Sequence, residues 1–223
     1  MDSIYRGSLI RPADRAIAWI DAFFIDHGFT RVAWPRFAAV LPGRLYRSSH
    51  PLPGRLASLT RRHGIRTLIN LRGKTHNGAD ALARETADTL GLHFVDAPLE
   101  SRGAPQADRV LRLAETYRTM AEPALVHCKS GADRAGLASG IYLLVHGGTA
   151  KQALKQLSLR FGHIAQSRTG VLDAFFHLYA RDAEGRKAFL DWVREDYDRE
   201  ELIRHFRAGG LGSFINDRLL LRE

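Results

Sequence analysis

Apolar and polar residues follow two rhythms along this chain. Leu68-Ile69 and Ala124-Leu125-Val126 are short unbroken apolar runs between polar neighbours, the signature of strands buried on both faces. Between such runs, apolar residues recur at three- and four-residue intervals, as at Val110, Leu111, Leu113, Ala114 and Tyr117, the signature of amphipathic helices. The periodicity predicts strands over 45–47, 67–71, 93–97 and 124–126. It predicts helices over 13–27, 53–63, 79–90, 106–121, 135–146, 150–161, 167–180, 186–196 and 200–207. The punctuation agrees: Pro53 near a helix start, Thr149 as an N-cap, and Gly28, Gly64, Gly91 and Gly147-Gly148 as stops. Residues 1–10 read as a loose arm, and 31–42, interrupted by Pro35 and Pro42, as an irregular connector.

Strands alternating with helices argue an α/β fold, a central mostly parallel sheet of four to five strands flanked by helices. Three segments are expected: an N-terminal arm and helix over 1–40, a core domain over 41–181, and a C-terminal helical extension over 182–223. Trp192 and Tyr197 would pack that extension onto the core. Sheets of this kind bind ligands in the loops beyond the C-terminal ends of their strands. The segment after Val126 is such a loop.

Composition narrows the function. With 223 residues, 45% hydrophobic and 26% charged, the chain is long enough for a full core. It has one cysteine, which excludes an internal disulfide and fits a reducing compartment. No apolar run is long enough to span a membrane, and the first residues lack the build of a signal peptide, so a cytoplasmic location is expected. The formal charge of +9 favours anionic partners or reflects an arginine-rich surface. No helix-turn-helix, zinc or RNA-recognition signature is present, so no nucleic-acid partner is expected, and no metal or cofactor is called for. The helix over 13–27 is apolar around most of its circumference. It docks on the core, or it rests on the anionic inner face of a membrane.

The chemistry concentrates in Ala124-Leu125-Val126-His127-Cys128-Lys129-Ser130-Gly131-Ala132-Asp133-Arg134-Ala135-Gly136. A strand ends at the sole cysteine, a tight loop follows, and an arginine stands six residues on where a helix begins. Backbone N–H groups turned inward at a helix N-terminus form a phosphate site. Gly131, mid-loop, permits that turn. A thiol in such a place is a nucleophile only as thiolate, and an unassisted thiol is only about 3% ionised at pH 7.

This His-Cys-x5-Arg loop resembles that of the cysteine-dependent protein tyrosine and dual-specificity phosphatases, nearest to an atypical bacterial and fungal group. The pattern Tyr46-Arg47-Ser48-Ser49-His50-Pro51, then Gly64-Ile65-Arg66-Thr67-Leu68-Ile69-Asn70-Leu71-Arg72, is similar to two strands of that group. The resemblance implies a metal-free phosphomonoester hydrolase with Cys128 as nucleophile and a phosphocysteine intermediate. The backbone of Lys129, Ser130, Gly131, Ala132, Asp133 and Arg134 would bind the phosphoryl oxygens, and Arg134 would grip two of them as a planar fork. The general acid is open among Asp133, Glu100 and Asp96. The family usually carries Ser or Thr after the loop arginine. Ala135 stands there instead, which allows a second reading as a catalytically weak phosphate-binding module. Substrates implied are phosphorylated protein, or phosphoinositide, phospholipid or inositol phosphate. Lys129 resembles the loop lysine of the lipid and inositol group.

Overall fold

The computed structural model describes residues 3–100 and 103–207. Part of the segment between the predicted strand over 93–97 and the predicted helix over 106–121, and the end of the C-terminal extension, lie outside the described residues. The chain divides into two compact units, one of residues 1–98 and 120–131, the other of 99–119 and 132–223.

The first unit holds the sheet. Its strands are β1 (Ala38–Leu41), β2 (Leu45–Ser49), β3 (Thr67–Asn70), β4 (His93–Asp96) and β5 (Ala124–Cys128), in the order β1-β2-β5-β3-β4. The β1–β2 pair is antiparallel and the other three pairings are parallel. The expected mostly parallel α/β sheet is therefore present, with β5 central and every one of its residues buried. In register, Ser49 stands opposite Cys128 and Asn70 opposite His127, so three strand ends come level beside the cysteine.

Helix α3 (Pro53–His63) covers part of this sheet with Leu56 and Leu59, which meet Tyr46, Leu68 and Leu125 in one apolar cluster. Pro53 opens it and Gly64 closes it in the left-handed region (φ 64°), as the sequence predicts. Helix α4 (Gly78–Thr89) is capped by the Asn77 side chain, which accepts from the Asp80 N–H.

The N-terminal segment departs from expectation. The single helix predicted over 13–27 is α1 (Pro12–Ile20), running into a π-helical turn, Asp21–Ile25, and ending at His27 in the left-handed region. The cause is Asp21. Its carboxylate is buried and accepts from the N–H groups of Ile4 and Gly78, each at 2.8 Å, which ties the turn to the start of α4. Ala18 and Ala22, both fully buried, form the narrow stripe that docks on Ala79 and Leu82.

The irregular connector predicted over 31–42 is also corrected. It contains the end of α2 (Gly28–Ala33) and the edge strand β1. Pro35 follows α2 as a stop, and Pro42-Gly43, with Gly43 at φ 75°, makes the turn between β1 and β2.

The second unit is helical among its described residues: α5 (Ala107–Thr119), α6 (Asp133–Val145), α7 (Ala150–Leu154), α8 (Val171–Asp182), α9 (Phe189–Glu195) and α10 (199–207). Helix α7 is much shorter than the predicted 150–161. Beyond Leu154 the chain turns along the first turn of α6, where a Cβ on Gly136 would sit 2.8 Å from the Gln156 carbonyl oxygen. Trp192 of α9 is buried against Phe175, with ring centroids 5.5 Å apart, and against Tyr197 at 5.3 Å.

Helices α1 and α4 approach closely at Gly78, where an added Cβ would lie 2.2 Å from the Ala18 carbonyl oxygen. Backbone cannot yield there as a side chain would. Gly78→Ala is expected to destabilise the protein at the upper end of about 1–3 kcal/mol, measured by urea denaturation. An unchanged midpoint would contradict the tight α1–α4 seam.

Candidate active site

Cys128 ends the central strand and is 1% exposed. The loop after it is held from the β2 side. Gly131 has φ 79°, and its N–H donates to Cys128 Sγ at 3.1 Å. Its carbonyl accepts from Arg47 Nη2 at 2.7 Å, and Arg47 is fully buried. The Ser130 carbonyl accepts from Arg36 Nη1 at 2.6 Å, and the Lys129 carbonyl from the His50 N–H at 3.2 Å. With these carbonyls occupied, the loop turns the Gly131 N–H toward the sulfur, an orientation that favours an anion there.

Beneath the loop lies a charge cluster that the sequence did not announce. Asp26, 5% exposed, receives both Nη atoms of Arg72 at 2.8 Å, Arg31 Nη1 at 3.0 Å, and Lys129 Nζ at 3.2 Å. Burial alone would raise its pKa, but Arg72, Arg31 and Lys129 outweigh this and hold it below the usual carboxylate value. The same Arg72 donates to His50 Nδ1 at 3.2 Å, while His50 Nε2 donates to the Ala79 carbonyl at 3.1 Å. A guanidinium has no acceptor, so that pairing fixes a neutral imidazole with its proton on Nε2. Burial, then His127 and the Arg72 and Arg31 charges, hold the His50 pKa well below its ordinary value. The two rings of His50 and His127 meet edge to face at 4.6 Å.

In the second unit, α6 opens at Asp133, and Arg134 is half-buried in its first turn. Asp133 Oδ1 accepts from His163 Nδ1 at 2.6 Å, and Asp173 Oδ2 accepts from His163 Nε2 at 2.6 Å. His163 is 1% exposed. Burial opposes its charge, but Asp133 and Asp173 prevail and raise its pKa to about 9. At neutral pH it is an imidazolium donating to two carboxylates. Ala135 is fully buried, and the next hydroxyl on α6, Ser139, donates to the Ala135 carbonyl at 2.6 Å.

Like Asp133, the other two acid candidates are each engaged with a cation. Glu100 is ion-paired with Arg109 at 3.1 Å. Asp96 closes β4, pairs with Arg84 at 2.8 Å and accepts from Asn70 Nδ2 at 2.9 Å. Asp133 alone of the three belongs to the Cys128–Arg134 segment itself. Among the described residues no group of three or more His, Cys, Asp or Glu side chains is arranged to hold a metal ion.

A family model described as PTP-SAK, the DSP-PTPase phosphatase domain of Swiss Army Knife proteins, matches residues 34–176. The chain belongs to this family. It is a cysteine-dependent phosphatase of the dual-specificity-like kind. Among solved structures, TpbA of P. aeruginosa is similar at 22% identity, over 72% of this chain and 89% of that one, with a TM-score of 0.52. A cysteine-to-serine form of TpbA in complex with pTyr matches at 22% identity, over 71% and 88%, with a TM-score of 0.50. Tk-PTP in its active form matches at 19% identity, over 66% and 99%, also at 0.50. At these identities the likeness is one of fold. No match is found among curated proteins.

Two features of this phosphatase were not legible in the sequence. Asp26 sits in an otherwise apolar helical stretch, where its polarity was the single cue. His163 sits in a segment without periodicity and carries no local signal.

The His163 pKa, raised from an ordinary 6.5 to about 9, ties stability to pH. Its contribution is fully present below about pH 6.5 and is lost as pH rises through about 9, because the unfolded chain releases that proton earlier. The shift corresponds to about 3 kcal/mol. Urea denaturation at pH 6.5 and 9.5 should show that loss in the native protein and a much flatter response in His163→Gln. Equal slopes would show that His163 is not the titrating group.

Proposed function

We propose that this phosphatase hydrolyses phosphomonoesters through a phosphocysteine on Cys128. The observation that carries the reading is that a cysteine-dependent family member has here one cysteine, at the end of the central strand with a loop N–H directed at its sulfur. The Cys128 thiolate attacks phosphorus and the bond to the ester oxygen breaks. The departing oxygen takes a proton from a carboxyl group. Water then cleaves the sulfur–phosphorus bond, its proton passing to the carboxylate, which releases inorganic phosphate and restores the thiolate. The N–H groups of Lys129, Ser130, Gly131, Ala132, Asp133 and Arg134, with the Arg134 fork, are the donors for the developing charge.

Proton donation is assigned to Asp133. It lies within the loop segment, directly before Arg134, and His163 Nδ1 orients its carboxyl at 2.6 Å. Candidate substrates are phosphorylated protein and phosphorylated lipid or inositol, and a phosphate-release screen separates them.

Cys128→Ser should abolish turnover of p-nitrophenyl phosphate, and loss of Arg134 should lower kcat by about 10²–10³, with EDTA without effect. Asp133→Asn should remove the alkaline limb of the pH–rate profile. Full activity in Cys128→Ser would overturn the proposal.

A second element concerns location, proposed as the cytoplasmic face of a membrane. Trp19, Ile20, Phe24, Phe29, Val32 and Trp34 all present exposed surface, Phe24 and Val32 at 61% each, in a protein of net charge +9. No described helix is long and apolar enough to cross a membrane. Exposed apolar and aromatic side chains in one segment of a cationic protein suit an anionic bilayer surface. Vesicles containing phosphatidylserine should sediment the protein, and Phe24→Ser with Phe29→Ser should release it. Failure of such vesicles to sediment the native protein would contradict this placement.

A further inference from the structure

Asp26 and Arg31 lie outside residues 34–176 matched by the family model, yet Asp26, paired with Arg31, contacts Lys129 of the loop. The buried Asp26 carboxylate faces three cations, and they are held unequally. Arg72 is bidentate at 2.8 Å with a side chain 8% exposed. Arg31 is 4% exposed and donates to the Asp26 carbonyl at 2.6 Å as well as to its carboxylate at 3.0 Å. Lys129 makes a single longer contact, 3.2 Å, and its side chain is 42% exposed.

The two arginines alone satisfy the charge of Asp26, so Lys129 can leave without stranding a buried anion. A departing half-exposed ammonium is re-solvated by water, and the pair it breaks is of the weak, screened kind. Lys129 is also the residue directly after Cys128, so an anion bound in the loop competes with Asp26 for it.

We propose that Asp26 is a positioning residue that holds Lys129 as an exchangeable cation, releasing it to the phosphoryl group of the substrate and recapturing it as phosphate departs. The N-terminal segment α1–α2 thereby sets the phosphate affinity of a loop to which it contributes no residue. Net local charge is the physical basis. Three cations and one carboxylate leave the cluster cationic, and removing the carboxylate frees Lys129 to pair with phosphate throughout. This inference rests on the reading of the loop as the phosphate site.

The test is calorimetric binding of inorganic phosphate, which needs no turnover, to the full chain and to Asp26→Asn, Lys129→Gln and the double variant. Asp26→Asn should tighten binding about three- to fivefold, the size of a partly exposed charge pair. Lys129→Gln should weaken it, and in that background Asp26→Asn should have no further effect. An Asp26→Asn effect of equal size with and without Lys129 would assign it to general loop structure and overturn the proposal, as would no effect at all. Should none of the four proteins bind phosphate, the loop assignment itself falls, and this inference with it.

Asp26→Asn leaves two buried arginines short of a partner and can impair folding, so a second measurement avoids it. Lys129→Gln should shift the melting temperature by less than about 2 °C, because Arg31 and Arg72 keep Asp26 satisfied. A drop above about 6 °C would show that Asp26 requires Lys129 and would rule out exchange.

Discussion

A methyl group on Gly131 would stand 2.5 Å from the Ser49 backbone nitrogen. That approach of the loop to β2 is the constraint on which the site depends. It is possible because β5 lies between β2 and β3 in parallel register, bringing Ser49 level with Cys128. It persists because Arg47, fully buried, clamps the Gly131 carbonyl. The clamp and the positive φ of Gly131 together direct its N–H to the sulfur. A side chain at position 131 would be strained by its φ and blocked by the strand behind it.

Charge is arranged around that geometry in layers. Arg47 and Arg36 bind loop carbonyls and so orient the peptide dipoles. Beneath them, Arg72 divides its donors between Asp26 and His50, which keeps one residue anionic and the other neutral. In the second unit, His163 carries the opposite solution, a buried cation between two carboxylates at the first residue of α6. Asp26 and His163 each have partners of opposite sign, which is what allows these charges in a low-dielectric interior.

Much of this was legible in the sequence for a physical reason. Strands β3 and β5 are short apolar runs, and α3 is bracketed by Pro53 and Gly64, so local pattern and tertiary fold agree. The Tyr46–Arg72 pattern has a structural cause as well: Arg47 binds the loop and Arg72 binds Asp26. Misreadings arose where a distant partner overrode local pattern. The helix over 13–27 passes into a π-helical turn at Asp21, whose carboxylate caps α4 fifty-seven residues away. Strand β1 was hidden because Pro35 and Pro42 read as breakers, although they bound a hairpin edge. His163 and Asp26 were hidden because their partners are remote in sequence and burial leaves no periodic trace.

The proposed attack by Cys128 is followed by breakdown of an intermediate beside Ala135, where the resemblance leads one to expect a hydroxyl that assists it. Attack and breakdown should therefore differ in rate, with breakdown the slower. The most direct measurement is rapid acid quench of the enzyme mixed with p-nitrophenyl phosphate, followed by peptide mass analysis. The account predicts a burst of p-nitrophenol approaching one per enzyme and a single phosphoryl group on the Cys128 peptide, with the burst retained but smaller in Ala135→Ser. Turnover without any phosphoryl group on Cys128, or with one on another residue, would contradict it.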